Sequence, residues 1–293
     1  MAAMIAASWL RAGVETQVHV GNLAWRLASV DLAKPYDDIG LWSNSDGRVV
    51  AIALVYESYP IDLLIDPDLD DVAELLNAML DWTEARWRAA VAAGRPAGPF
   101  RVGCFDTDGL RGAVLRRRGY APGGRGYIRF GREAHAADAQ AKLPDGLRAR
   151  AIDRAADVER MVDLHNTIFD SPVLSVDDFR RVIGAPWYRS ELGLIAEDGS
   201  GEVVAFALGW IDPVGGVIEF EPVGCLFAWR RRGITRALLH EIIGRAASQG
   251  ATMATVTARS DNTGTIEFYR ATGFESRVSE SEFTRSFDPA DAV

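Results

Sequence analysis

The sequence predicts an α/β or α+β chain made of two tandem copies of one fold, each a mixed sheet with helices against it. Three observations predict this. The stretch "FRVGCFDTDGLRGAVLRRRGY" (100–120) lines up without a gap with "ATVTARSDNTGTIEFYRATGF" (254–274), which places Asp108 on Asn262, Gly119 on Gly273 and Tyr120 on Phe274. Each unit reads strand, polar turn, helix, Gly, aromatic, with the glycine where a helix ends in a left-handed residue. Between the copies, "GREAHAADAQAKLPDG" (131–146) loses aromatic and β-branched residues, as a linker does. The expected division is residues 1–133, a linker at 134–146, and residues 147–293. A chain of 293 residues is long enough for two such domains, each with a core of its own.

The elements follow in order. "MAAMIAASWLRAG" is apolar, lacks a basic first segment and is closed early by Arg11, so it predicts a short amphipathic helix and not a leader. Residues 16–133 carry the outline of the first copy. In the second, "LRARAIDRAADVERMVDLHNTIF" is a strand followed by a helix, with Val158, Met161, Val162 and His165 at helical spacing. "LGLIAED", "EVVAFALGWID" and "GVIEFEPVGCLFAW" are three strand-like runs. The period then lengthens: Ile234, Leu238, Leu239, Ile242, Ile243 and Ala246 form a broad apolar helix face that Gly250 ends. "ATMATVTA" is a further strand, "NTGTIEFYRATG" a short helix and "FESRVSESEFTRSF" a closing hairpin-like stretch.

Composition narrows the function. With 48% hydrophobic and 25% charged residues, and no apolar run near the roughly 20 residues of a membrane span, the expectation is a soluble, cytoplasmic protein without membrane partners. Cys104 and Cys225 supply neither a disulfide framework nor a metal-ligand cluster, and the four histidines show no ligand or triad spacing, so no metal is expected. His240 is read as facing solvent. A formal net charge of -9 disfavours a nucleic-acid backbone as partner. Against that charge, "AWRRRGITRALL" gathers Arg230, Arg231, Arg232 and Arg236 around Gly233.

That loop lies between a strand and the apolar helix beginning near Ile234. A helix start leaves about four amide hydrogens unpaired and carries a positive partial charge, so it can hold a phosphate. Glycine permits close approach of backbone to ligand, and arginines add charge-assisted contacts. No Gly-Lys-Ser/Thr follows, so it is not a Walker loop.

At this point the residues resemble the GNAT superfamily of acetyl-CoA-dependent N-acyltransferases, whose pyrophosphate loop runs Arg/Gln-x-x-Gly-x-Gly/Ala. Arg230 takes the first place, Gly233 the central glycine and Thr235, with a larger side chain than the family's, the last. "NTGTIEFYRATGF" is similar to the family's later motif, and "EFEPVG" to the strand lining the cofactor's pantetheine arm. The resemblance spans about residues 146–288 and implies mostly antiparallel twisted sheets flanked by helices, with acetyl-CoA as cosubstrate. It implies that Arg230, Arg231, Arg232, Gly233, Ile234 and Thr235 hold the diphosphate. It further implies that the backbone of Leu226, Phe227 and Ala228 pairs with the pantetheine arm, and that Asn262 and Tyr269 touch the cofactor.

Pro222 interrupts its strand and predicts a bulge or an opened pairing. An amine must be neutral to attack, and a lysine-like amine near pKa 10.4 is neutral only about once in a few thousand at pH 7, so a base is needed. Glu219 and Glu221, two apart on one strand, face the same side, and either can serve. Tyr269 stands where the family's leaving-group acid sits. Asn262 is also a natural N-cap, and Cys225 reads as a small apolar filler because the family transfers the acyl group directly.

The first copy lacks this chemistry: "IDPDLDDVAELLNAML" puts acidic residues at the place of the anion loop, and Leu115 occupies the place of Tyr269. It resembles a degenerate copy that has lost the cofactor, in a tandem layout similar to that of mycothiol synthase. The predicted activity is transfer of acetyl from acetyl-CoA to a primary amine of a small molecule or peptide, by a monomer or homodimer. The alternative is a non-catalytic acyl-CoA sensor or structural module.

Overall fold

The computed structural model describes residues 1–12, 18–28, 38–55, 61–70, 72–94, 98–140, 142–171, 173–212 and 214–287. Two helices open it, α1 (Ala2–Ala12) and α2 (Val20–Ala28), before strands β1 (Ile39–Ser43), β2 (Val49–Leu54) and β3 (Asp62–Ile65). Helix α3 (Val72–Ala92), β4 (Phe100–Phe105), α4 (Gly109–Arg117) and the long β5 (Ala121–Glu133) follow. After a 3-10 turn at Ala136–Gln140 come β6 (Arg148–Ala151), α5 (Val158–Phe169), α6 (Val176–Gly184), β7 (Gly193–Glu197), β8 (Val203–Asp212) and β9 (Val217–Cys225). Helix α7 (Ile234–Ala247), β10 (Met253–Arg259), α8 (Thr263–Ala271) and β11 (Glu275–Arg285) close the fold.

The repeat seen in the sequence is a repeat in space. Asp108 caps α4 by accepting the amide hydrogen of Arg111, and Asn262 caps α8 by accepting that of Thr265. Gly119 and Gly273 end these helices at φ +81° and +85°, where a β-carbon would be strained, and Tyr120 and Phe274 are both buried just beyond.

An eight-stranded sheet runs in the order β4-β11-β5-β10-β9-β8-β7-β6, and a three-stranded sheet is β1-β2-β3. The hairpin-like ending expected after Phe274 is instead the single strand β11, antiparallel to β5 on one side and to β4 on the other. β5 in turn pairs with β10. Each half therefore inserts its last strand against the other, because a lone β11 would leave an open edge. The 131–146 stretch is ordered where described. Asp138 accepts from Arg132 at 2.8 Å and pairs with His240 at 3.0 Å, so His240 is engaged and not merely solvent-facing. Ala139 lies so close to α7 that a β-carbon on Gly244 would come within 2.8 Å of its Cα.

Two layers cover the sheet around β9. Ile218 and Phe220 pack under α7 with Ile234, Leu238, Leu239, Ile242, Ile243 and Ala246, the apolar face foreseen for that helix. On the opposite face Val217 packs with Ile5, Trp9 and Leu23 of α1 and α2. The helices of the first half thus roof the sheet of the second.

Candidate active site

β9 and β10 run parallel and are paired only from Val217/Met253 to Phe220/Val256. Both continue past that point, β9 against β8 as far as Cys225 and β10 against β5 as far as Arg259. The sheet therefore opens as a wedge. Its cause is local: opposite Ala207–Gly209, β9 places Phe220 through Val223, an extra residue that absorbs Pro222. The predicted bulge is present.

The Arg230–Thr235 loop stands at the end of the strand that forms one side of this wedge. Phe227–Trp229 is a 3-10 turn, Gly233 sits at φ +78°, and α7 starts at Ile234 with no side chain capping it. Ala237 is the first residue to close a helical bond, on Gly233 O. Arg231 also takes a left-handed conformation, φ +62°. The arginines hold the loop in shape: Arg230 Nε donates to Cys225 O at 3.1 Å and Arg232 to Ala228 O at 3.2 Å, each guanidinium lying over an aromatic ring, Phe227 and Trp229 respectively. The Thr235 hydroxyl lies beside the Cys225 thiol. Burial pushes that thiol up, and the Thr235 contact opposes it. Lys142, Arg232, Arg236 and His240 line a cavity of about 360 Å³ beside Gly233.

The strand-like pairing expected of Leu226, Phe227 and Ala228 is not available. Leu226 donates its amide to Val204 O at 2.9 Å, and Phe227 and Ala228 are coiled into the turn and exposed. The backbone on the wedge lies just upstream, at Val223–Cys225. The reason is geometric: the chain must turn sharply to start α7, and it turns at Phe227.

Both glutamates face α2, away from α7. Asn22 Nδ2 donates to Glu221 Oε2 and lies 3.4 Å from Glu219 Oε1. Trp25 and Trp210 both donate their indole N–H to Glu221 O, at 3.0 and 2.6 Å. Glu221 is half-buried, and burial followed by the neighbouring Glu219 charge pushes its carboxyl up to about 7. Glu219 is 1% exposed and its Oε2 finds no donor among the described residues. His19 is wholly buried beside it, its pKa lowered by burial against the opposing pull of Glu219 and Asp212. Sequence reasoning missed His19, Asn22 and Trp25. The one signal for them was polar and aromatic residues inside an apolar N-terminal helix pattern.

Tyr269 comes from the α7 side, packed against Phe130, Phe268 and Phe274, and burial pushes its phenol up. Asn262 is exposed at the start of α8. The glutamates and Tyr269 thus lie on opposite faces of the sheet.

The first half has the same wedge, tied across near its apex, with a cavity of about 350 Å³ beyond it lined by Ile65, Asp66, Phe105 and Arg111. Ile61 bridges Val102 in parallel where β3 meets β4. Just beyond, the buried Arg111 donates to Leu63 O at 2.9 Å and to Gly103 O at 3.4 Å, tying the two strands together. The aligned residue of the second half is Thr265, which cannot reach across. Asp66, in the acidic loop, is neutralised by Arg11 and Arg48.

A parted parallel strand pair, an uncapped helix start behind a left-handed glycine, and two carboxylates on the adjoining strand are thus brought together. Residues 158–274 match the family model described as Acetyltransferase (GNAT) family. Over nearly the whole chain, the fold is similar to a GCN5-related N-acetyltransferase from Sphaerobacter thermophilus: TM-score 0.66, 20% identity, 97% of this chain and 91% of that one. A GCN5-related N-acetyltransferase from Kribbella flavida gives TM-score 0.56 at 19% identity over 92% and 98%. A tandem GNAT protein from the clavulanic acid biosynthesis pathway gives 0.61 at 12% over 96% and 93%. No curated protein matches the chain. Among the described residues no helix is long and apolar enough to cross a membrane, and no cluster of His, Cys, Asp or Glu could hold a metal ion.

Proposed function

We propose that the second half transfers acetyl from acetyl-CoA directly to a primary amine of a small molecule or peptide, while the first half binds no cofactor and roofs the acceptor side. The parting of β9 and β10 immediately before the Gly233 loop is the observation that carries this reading. The backbone of Gly233, Ile234 and Thr235 would hold the diphosphate, with Arg231 and Arg236 exposed beside it and Arg230 and Arg232 bracing the turn. The edge of Val223–Cys225 would take the pantetheine arm as a strand, and Asn262, at the start of α8, is a second cofactor contact. The thioester is then the acyl donor.

On the acceptor side Glu221 is the favoured base. It is the more exposed of the two glutamates, and a carboxyl near 7 accepts a proton at neutral pH yet is basic enough to be useful. It first takes a proton from the ammonium, the neutral amine nitrogen then attacks the carbonyl carbon, and the second N–H proton passes to water as the tetrahedral intermediate collapses. Tyr269, from the other face, gives its proton to the sulfur as the C–S bond breaks, and regains one from solvent. Its phenol is protonated at neutral pH, as an acid must be. Two buried free thiols, Cys104 and Cys225, suit a cytoplasmic setting.

The test is calorimetric titration with acetyl-CoA, then thiol release on spermidine, an arylalkylamine, an amino sugar and a lysine peptide. One cofactor per chain and turnover on an amine are expected. Binding without turnover on any amine would favour a sensor, and no binding would remove the reading. With a substrate in hand, kcat/KM should rise about tenfold from pH 6 to pH 8, since a carboxyl at 7 is about one-tenth ionised at the first and nine-tenths at the second. A flat profile would exclude Glu221 as the base.

A further inference from the structure

Asn22 is bound at both ends. It is the third residue of α2, and its Oδ1 accepts the amide hydrogen of His19 at 2.7 Å, while His19 Nδ1 accepts that of Gly21 at 3.2 Å. This reciprocal cap fixes the carboxamide: reversing it would set Nδ2 against an N–H donor and Oδ1 against two carboxylates. The NH2 group is therefore held on Glu219 and Glu221. Trp25, one turn further along the same helix, ties α2 to Glu221 O. Helix α2 can approach this closely because Gly21 lies on the Trp210 ring, where a β-carbon would come within 2.6 Å of Cδ1.

We propose that Asn22 is a positioning residue supplied by the first half, whose NH2 group sits between Glu219 and Glu221 and favours the ionised form of Glu221, so that Glu221 presents a charged oxygen to the acceptor. This rests on the reading of Glu221 as the base. Adjacent carboxylates repel when both are ionised, and a donor placed between them offsets that repulsion and favours the ionised form. The other charged groups around the pair are Arg26 of α2 and Asp62 of β3, which bond each other, with His19, Asp212 of β8 and Arg129 of β5 on the Glu219 side. Asn22 is the one neutral donor that touches both glutamates among the described hydrogen bonds.

The experiment needs no acceptor. Glutamate carrying ¹³C at the side-chain carboxyl is incorporated into the whole chain, and the Glu221 resonance, assigned by its loss in Glu221→Gln, is titrated from pH 5 to 9. Asn22→Ser and Asn22→Asp each keep an oxygen for the His19 amide, so α2 retains its cap, but neither can donate to both glutamates. The midpoint should move up by about one pH unit in Asn22→Ser, since a hydrogen bond to a charged group is lost, and further in Asn22→Asp, which adds a third carboxylate. Midpoints within about two-tenths of wild type in both variants would overturn the proposal. Thiol release by Glu221→Gln on the same amines separates the two readings. If the midpoints move but Glu221→Gln still turns over, the positioning stands and the base lies elsewhere.

Discussion

Gly21→Ala tests whether the first half's helix belongs to the second half's site. A methyl group at Gly21 would overlap the Trp210 ring, with Cδ1 at 2.6 Å where ordinary contact begins near 3.4 Å. Trp210 is fully buried and its indole N–H is bonded to Glu221 O, so the ring cannot swing aside freely. The helix must withdraw by close to 1 Å. Overpacking of this kind costs about 1 to 3 kcal/mol, and loosening the Trp25 bond adds about 1. The gain in helix propensity from Gly to Ala returns up to about 1. The net is a loss of about 1 to 3 kcal/mol, or a fall in Tm of roughly 2 to 5 °C for a chain of this size. Gly109→Ala is the control, at the start of α4 with nothing within 4 Å of the new methyl, and should be neutral or slightly stabilising. Scanning calorimetry gives the Tm values, and acetyl-CoA titration of both variants shows whether the cofactor side is untouched. If Gly21→Ala melts with wild type, α2 does not seat on Trp210 and the composite site fails with it.

Three further outcomes can be checked. Tyr269→Phe should lower turnover at least tenfold, with acetyl-CoA affinity and Tm nearly unchanged because the ring keeps its place among Phe130, Phe268 and Phe274; full activity would remove it as the acid. Glu197, buried and hydrogen-bonded by Arg150, is held down at about 2, so its stabilisation is complete above the unfolded value near 4.5 and is lost as pH falls from there toward 2. Glu197→Gln should therefore cost about 2 to 3 kcal/mol at pH 7 and little near pH 2, read by urea denaturation at both. Residues 134–293 expressed alone should aggregate or stay unfolded, since β10 and β11 would lose β5 between them; a monomeric fragment with native-like circular dichroism would contradict the sheet order.

What the sequence made legible was local. The repeat, the two caps at Asp108 and Asn262, the left-handed glycines and the loop before α7 each depend on residues a few places apart, and turn and cap chemistry acts at that range. The pairing of Glu219 and Glu221 on one face was legible from strand period. Their partner was not, because Asn22 reaches them from the far end of the chain and an Asn at a helix start is sufficiently explained by capping. Leu226 was misplaced for a different reason: an apolar run through "CLFAW" has no mark showing where extension yields to a turn. Arg111 gave no signal either, since an arginine on a short polar helix is expected at the surface, and only the fold carries it between β3 and β4.

The exchange of β5 and β11 sets a condition on how the protein is made. On the ribosome the first half emerges with β4 and β5 complete, yet the strand that belongs between them is the last to be synthesised. At ordinary rates of about 5 to 20 residues per second, the nascent first half must wait roughly ten to thirty seconds with two facing edges unsatisfied. That interval favours an ordering in which β5 finds β10 before β11 closes the gap. The first half is thereby kept by the chain, because without it β11 has nowhere to go.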